Sequence, residues 1–163
     1  MPIAVYPGTF DPPTHGHLDL VERATRVFSK VLVVVAQNSR KTPIFTSEER
    51  VSLFSKALEE RGILGVEVHA WEGLTVDFCR AHGAKVMVRG LRQSGDFDSE
   101  LSIALLNHRL YPEVDTIFLP AREEHLVLSS TLVRELSRFH ADTSPFVPPV
   151  VVRALRQRFQ GEA

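Results

Sequence analysis

Apolar residues fall along this chain in two rhythms. Short continuous runs of strand length recur: Ile3–Tyr6, Val31–Ala36, Val66–Trp71, Val86–Arg89 and Thr116–Leu119. Between them the spacing is helical. Leu18, Val21, Ala24, Val27 and Phe28 share one side of a helix over 18–28, and Leu101, Ile103 and Leu105 are expected to face inward from one over 98–110. Continuous Val/Ile/Leu runs, unlike alternating ones, predict strands covered on both faces, as in a parallel sheet. Thr46 with Glu49 three residues on predicts a capping box and a helix to about Arg61, stopped by Gly62. Thr75–His82 closes at Gly83 in the same manner, and Asp98–Leu110 ends near Pro112. Ser129 or Ser130 caps a helix to about Phe139, and Pro148 or Pro149 opens a last one ending near Gln160.

This alternation predicts an α/β fold: a Rossmann-like, doubly wound, five-stranded parallel sheet of order 3-2-1-4-5, with helices on both faces and a C-terminal helical segment. No repeat, low-complexity tract or linker interrupts it, so residues 1–163 are expected to form a single domain. Ligands in this class bind outside the carboxyl ends of the strands where the order reverses, here between strands one and four. The loop after strand one is Tyr6-Pro7-Gly8-Thr9-Phe10-Asp11-Pro12-Pro13-Thr14-His15-Gly16-His17, and the loop after strand four begins Arg89-Gly90-Leu91-Arg92. Two chemically loaded loops should therefore emerge side by side.

Composition narrows the options. A length of 163 residues, 44% of them hydrophobic, is enough for a core. A formal net charge of -1 argues against general nucleic-acid binding but leaves room for a local basic pocket. The single cysteine, Cys79, excludes an intrachain disulfide and a multi-cysteine zinc site, suits a reducing cytoplasm, and is expected to face inward with Val76. The longest apolar run, Val31–Ala36, is too short to span a bilayer, and no signal peptide precedes the first strand. A soluble, cytoplasmic protein is expected. His69, His82, His108 and His140 have no metal-ligand spacing and are expected on surfaces.

The first loop carries the chemistry. Its prolines and glycines fit a tight turn beside a helix N-terminus, whose unpaired N–H groups and dipole suit a phosphate. Neither G-x-x-x-x-G-K-[ST] nor G-x-G-x-x-G can be written in this sequence, which weighs against a P-loop NTPase or a conventional dinucleotide dehydrogenase. Thr14-x-Gly16-His17 offers something else: a glycine over which a phosphate can approach, and a histidine able to donate to oxygens gaining charge. Each residue also has a plainer role open to it. His17 could only cap the helix, Lys41 could be a solvated loop lysine, Arg92 could pair with Asp96, and Glu100 could complement a helix dipole in a first turn. Ser129 and Ser130 are good caps in any case. Arg89 ends a buried strand, where a charge needs a partner.

Gly8-Thr9-Phe10-Asp11-Pro12 with Thr14-x-Gly16-His17 resembles the signature of the T/H-x-G-H nucleotidyltransferase superfamily, and Ser129-Ser130-Thr131-Leu132-Val133-Arg134 resembles its second signature. Arg89-Gly90-Leu91-Arg92 with Asp96-Phe97-Asp98-Ser99-Glu100, together with Phe45-Thr46-x-Glu48-Glu49-Arg50, makes the set similar to bacterial phosphopantetheine adenylyltransferases over Val5 to about Leu155. The resemblance implies transfer of the adenylyl group of ATP to 4′-phosphopantetheine, giving dephospho-coenzyme A and pyrophosphate by direct attack, without a protein nucleophile. By the same resemblance His17, Lys41 and Arg89 are catalytic, with His17 stabilising the transition state. ATP falls to Thr9, Phe10, His17, Gly90, Leu91, Arg92, Glu100, His125, Leu126, Val127, Leu128, Ser129, Ser130 and Thr131. Phosphopantetheine falls to Thr9, Lys41, Thr75, Arg89 and Asn107. Magnesium is implied on the ATP phosphates rather than on protein ligands, as are a homohexamer and feedback binding of coenzyme A.

Two positions depart from the family's pattern. Ser99 stands where an aromatic residue usually does, and Glu123-Glu124-His125-Leu126-Val127 carries none; both bear on the adenine contacts and leave the phosphate chemistry untouched. Rival readings are a nicotinate or nicotinamide mononucleotide adenylyltransferase, a glycerol-phosphate cytidylyltransferase and a non-catalytic nucleotide sensor.

Overall fold

The computed structural model describes residues 2–37 and 42–161. Five parallel strands, β1 (Ile3–Gly8), β2 (Lys30–Ala36), β3 (Val66–Trp71), β4 (Val86–Leu91) and β5 (Asp115–Pro120), lie in the order β3-β2-β1-β4-β5, as expected. The helices are α1 (His15–Ala24), α2 (Ser47–Arg61), α3 (Thr75–Ala81), α4 (Ser94–Leu110), α5 (Ser130–Arg138) and α6 (Pro149–Gln160), with a 3-10 turn at Glu123–His125.

The continuous valine run of β2 explains the layering. Val31, Val33 and Val35 point to the face covered by α1 and α2, where they meet Leu18, Val21 and Phe54. Leu32 and Val34 point the other way, onto Val76, Phe78 and Cys79 of α3. A third cluster joins Phe45 and Leu53 to Val133 of α5 and Val151, Val152 and Leu155 of α6. Cys79 is fully buried, and the desolvation of its thiolate pushes the thiol up to about 12.

Four expectations need correction. Helix α1 begins at His15 rather than at Leu18, because His17 takes the place usually held by Glu or Gln in a capping box with Thr14. The same helix stops at Ala24, where the chain turns, so Val27 swings out to 59% exposure while Phe28 stays in the core. Helix α4 begins at Ser94, helped by Asp96 Oδ2, which accepts the N–H groups of Arg92 and Gln93. Glu100 therefore lies beyond the first turn, and a simple helix-dipole role is excluded. Nor do Leu101, Ile103 and Leu105 face inward: they are 36%, 42% and 63% exposed, and α4 has no buried residue. Its apolar side chains are spread around the helix, with no second layer of this chain to receive them.

Candidate active site

Between the carboxyl ends of β1 and β4 opens a cleft of about 860 Å³, walled by the β1–α1 loop, the end of β4 and the N-terminus of α5. The first of these walls is the most constrained. Phe10 adopts a left-handed backbone (φ 50°) that turns its ring back over Gly8, where an added Cβ would come within 2.6 Å of the ring. The ring packs against Tyr6, Phe54 and, edge-on, the imidazole of His17 at 5.0 Å. The Asp11 carboxylate accepts the backbone N–H groups of Ile44 (2.9 Å) and Phe45 (3.1 Å), while Arg134 donates to the Asp11 carbonyl at 2.7 Å. Arg50, only 2% exposed, donates to the carbonyls of Thr9, Ala36, Phe45 and Thr46. Thr9 is thus held by its backbone while its hydroxyl is left to the cleft.

His17 is held with equal firmness. Its Nδ1 accepts the backbone N–H of Thr14 at 3.0 Å, and its own N–H donates to Thr14 Oγ1 at 3.4 Å. With Nδ1 occupied as an acceptor, the ring proton lies on Nε2, which makes that nitrogen a fixed donor. Burial, with the charge of Arg92 adding to it, pushes the imidazole down to about 3. The ring is therefore neutral at physiological pH, and it caps α1 while forming part of the cleft wall.

The opposite wall carries the guanidinium groups. Arg89 leaves the end of β4 and forms a two-pronged bond with Glu100 of α4, Nε to Oε2 at 2.6 Å and Nη2 to Oε1 at 2.8 Å. Gly90 lets β4 pass under α1, since a Cβ there would sit 2.7 Å from Leu20. Arg92 donates to the Leu128 carbonyl at 2.9 Å, whereas its contact with Asp96 is a loose 3.8 Å. Leu128 directly precedes Ser129, whose hydroxyl accepts Leu132 N–H and caps α5; Ser130 donates to the Pro12 carbonyl at 2.7 Å. The positive end of α5 is thereby aimed into the same space as His17.

The cleft gathers most of the residues named from sequence: Thr9, Phe10, His17, Thr75, Arg89, Gly90, Arg92, Glu100, His125, Leu128, Ser129, Ser130 and Thr131 all line it. His125 leans over Gly16, its Cβ lying 3.6 Å from where a glycine Cβ would be. Leu91, Leu126, Val127 and Asn107 do not form part of its wall. Leu91 alternates away from Gly90 along the strand, Leu126 and Val127 are exposed, and Asn107 donates to Met87 Sδ at 3.5 Å. Lys41 lies outside the described residues. Sequence reasoning missed Tyr6, Asp19, Arg23, Arg50 and Arg138 as lining residues. Tyr6 and Arg50 had a signal, Tyr6 as the first residue of the loop singled out after strand one and Arg50 as an arginine on the buried side of a capped helix; the others had none.

Comparison with known proteins agrees with this geometry. The Cytidylyltransferase-like family profile matches residues 5–136. A phosphopantetheine adenylyltransferase of Coxiella burnetii (strain RSA 493 / Nine Mile phase I) is 50% identical over 157 residues, covering 96% of this chain and 97% of the relative. One from Heliobacterium modesticaldum is 45% identical, covering 98% and 94%. Among solved structures, a bifunctional NMN adenylyltransferase/ADP ribose pyrophosphatase from Francisella tularensis superposes with a TM-score of 0.75 at 18% identity, over 98% of this chain and 51% of that one, a likeness of fold alone. On profile, identity and coverage together, this chain belongs to the phosphopantetheine adenylyltransferase family.

Proposed function

We propose that this protein transfers the adenylyl group of ATP to 4′-phosphopantetheine, forming dephospho-coenzyme A and pyrophosphate. The observation that carries this reading is the convergence of His17, in the first turn of α1, and Arg89, near the end of β4, on one cleft in a chain half identical to enzymes of that name. A phosphate oxygen of phosphopantetheine forms a bond to the α-phosphorus of ATP as the bond from that phosphorus to the pyrophosphate oxygen breaks. The nucleophile belongs to the substrate, so the protein's part is to position two polyanions and offset their charge. His17 donates from Nε2 to an oxygen gaining charge. Arg89, aligned by Glu100, and Lys41 hold the acceptor phosphate; Arg92 and the α5 N-terminus hold the triphosphate.

Magnesium fits as the nucleotide's own ion. The carboxylates lining the cleft are engaged already: Asp11 with two backbone N–H groups, Asp19 with Arg23 and Arg122, Glu100 with Arg89. Phosphate oxygens are then the ligands left to it, and the ion supplies charge neutralisation there.

Self-association into a homohexamer is supported by the exposed apolar residues of α4, among them Phe97, Leu105 and Leu106, and by Ile117 of β5. Coenzyme A, which carries both substrate moieties, is proposed to compete at the same cleft, and a cytoplasmic location fits this biosynthetic role. Among the described residues no helix is long and apolar enough to cross a membrane. The deciding assay is pyrophosphate release from ATP with phosphopantetheine, nicotinate mononucleotide, nicotinamide mononucleotide or none as acceptor. Activity only with a mononucleotide overturns the reading, and ATP binding without release with any acceptor points to a sensor.

A further inference from the structure

Tyr6 lies on the central strand, its ring packed against Phe10 at 5.1 Å and only 6% exposed. A phenol so deeply set ordinarily gives its O–H to a protein acceptor. Here no described residue bonds to the Tyr6 hydroxyl, and the oxygen is not sealed off from solvent either. Tyr6 is part of the cleft wall, so the way out for that hydroxyl is into the cleft.

The charges that bear on it are Arg89, Arg92 and Glu100. Guanidinium groups only donate, and the Glu100 carboxylate, paired with Arg89 through both oxygens, makes no bond to the Tyr6 hydroxyl. With no acceptor among the described residues bonded to it, the hydroxyl is free to donate to a group entering the cleft, and the two cations that bear on it favour an anionic oxygen there. Burial pushes the phenol well above its ordinary range, so the oxygen keeps its proton and acts as a donor.

We propose that the Tyr6 hydroxyl is a further substrate-binding group, donating a hydrogen bond to a phosphate oxygen on the Arg89–Arg92 side of the cleft. This rests on the adenylyl-transfer reading above. It gives Tyr6 a role apart from the packing of its ring, and that separation makes the role testable.

The substitution Tyr6→Phe keeps the ring and removes only the hydroxyl. In the full-length enzyme, dephospho-coenzyme A formation is measured at varied ATP and varied phosphopantetheine, with Tm followed in parallel. The expected result is a fall in kcat/KM of about 10- to 100-fold, the size of a lost bond to a charged acceptor, with Tm unchanged. A rise in KM for phosphopantetheine places the bond on the acceptor phosphate, and a rise in KM for ATP places it on the triphosphate. A fall in kcat alone places it on an oxygen that gains charge in the transition state. Unchanged kcat/KM for both substrates overturns the proposal, and so does a loss of activity matched by a fall in Tm. If the wild-type enzyme forms no dephospho-coenzyme A, it is the adenylyl-transfer reading that fails. Calorimetric titration with ATP and with pyrophosphate then decides Tyr6, and equal affinities for wild type and Tyr6→Phe overturn its role.

Discussion

Thr14 and His17 hold each other: the backbone N–H of Thr14 donates to His17 Nδ1 at 3.0 Å, and the backbone N–H of His17 donates to the Thr14 hydroxyl at 3.4 Å. One exchange of bonds starts helix α1, chooses the imidazole tautomer and sets the donor nitrogen toward the cleft. His17→Ala is expected to lower turnover by about 10²-fold or more while ATP still binds. Single-turnover kinetics with ATP titration tests this, and unchanged turnover removes His17 from the reaction.

The same burial has a pH signature. The native imidazole titrates at about 3, below the value of 6.5 usual for an unfolded chain. Between those values the unfolded chain holds a proton that the native protein lacks, so stability falls as pH drops through that window. His17→Gln, which cannot titrate, is expected to lose less Tm than wild type on going from about pH 6.5 to about pH 4.5. Equal losses would mean the native ring titrates normally.

Glu100 is expected to act through Arg89. Glu100→Gln breaks the two-pronged pair and should raise KM for phosphopantetheine about 5- to 30-fold, with a smaller effect on KM for ATP. Steady-state kinetics with each substrate varied separates this from a direct contact of Glu100 with ATP, which would shift the ATP value instead.

Arg50 ties four backbone carbonyls together from a buried position, those of Thr9, Ala36, Phe45 and Thr46. Arg50→Met leaves those acceptors without their donor and is expected to cost about 2–3 kcal/mol of stability, read by urea unfolding. Turnover should fall as well, since the Thr9 carbonyl is one of the four.

Leu105 of α4 is 63% exposed in the single chain. If self-association covers it, Leu105→Glu should shift the species seen by sedimentation velocity toward the monomer without weakening the monomer's own core. A wild-type protein that sediments as a monomer would remove the basis for this test.

Strand positions, their order and most helix limits were legible because they follow from local rules. Runs of valine and isoleucine, a Thr46–Glu49 capping box and a glycine stop at Gly62 each leave a mark within a few residues. The convergence of the two main loops was legible too, since a doubly wound sheet brings the ends of its first and fourth strands together. The family motifs named most of the cleft's polar residues. What escaped were features whose cause lies far along the chain. The exposure of α4 depends on which elements remain to cover it. The tie between Asp11 and residues 44 and 45 spans more than thirty residues, and the bond from Arg134 to the Asp11 carbonyl spans 123.

The sequence by itself determined the architecture and the chemistry on offer, because periodicity, caps and breakers act over one or two turns of chain. Only the tertiary structure decided how that chemistry is set: a neutral His17 donating from Nε2, Arg89 committed to Glu100, and a Tyr6 hydroxyl left open to the cleft. Protonation and hydrogen-bond partnership depend on burial and on neighbours brought in from other elements, and neither quantity exists until the chain has folded.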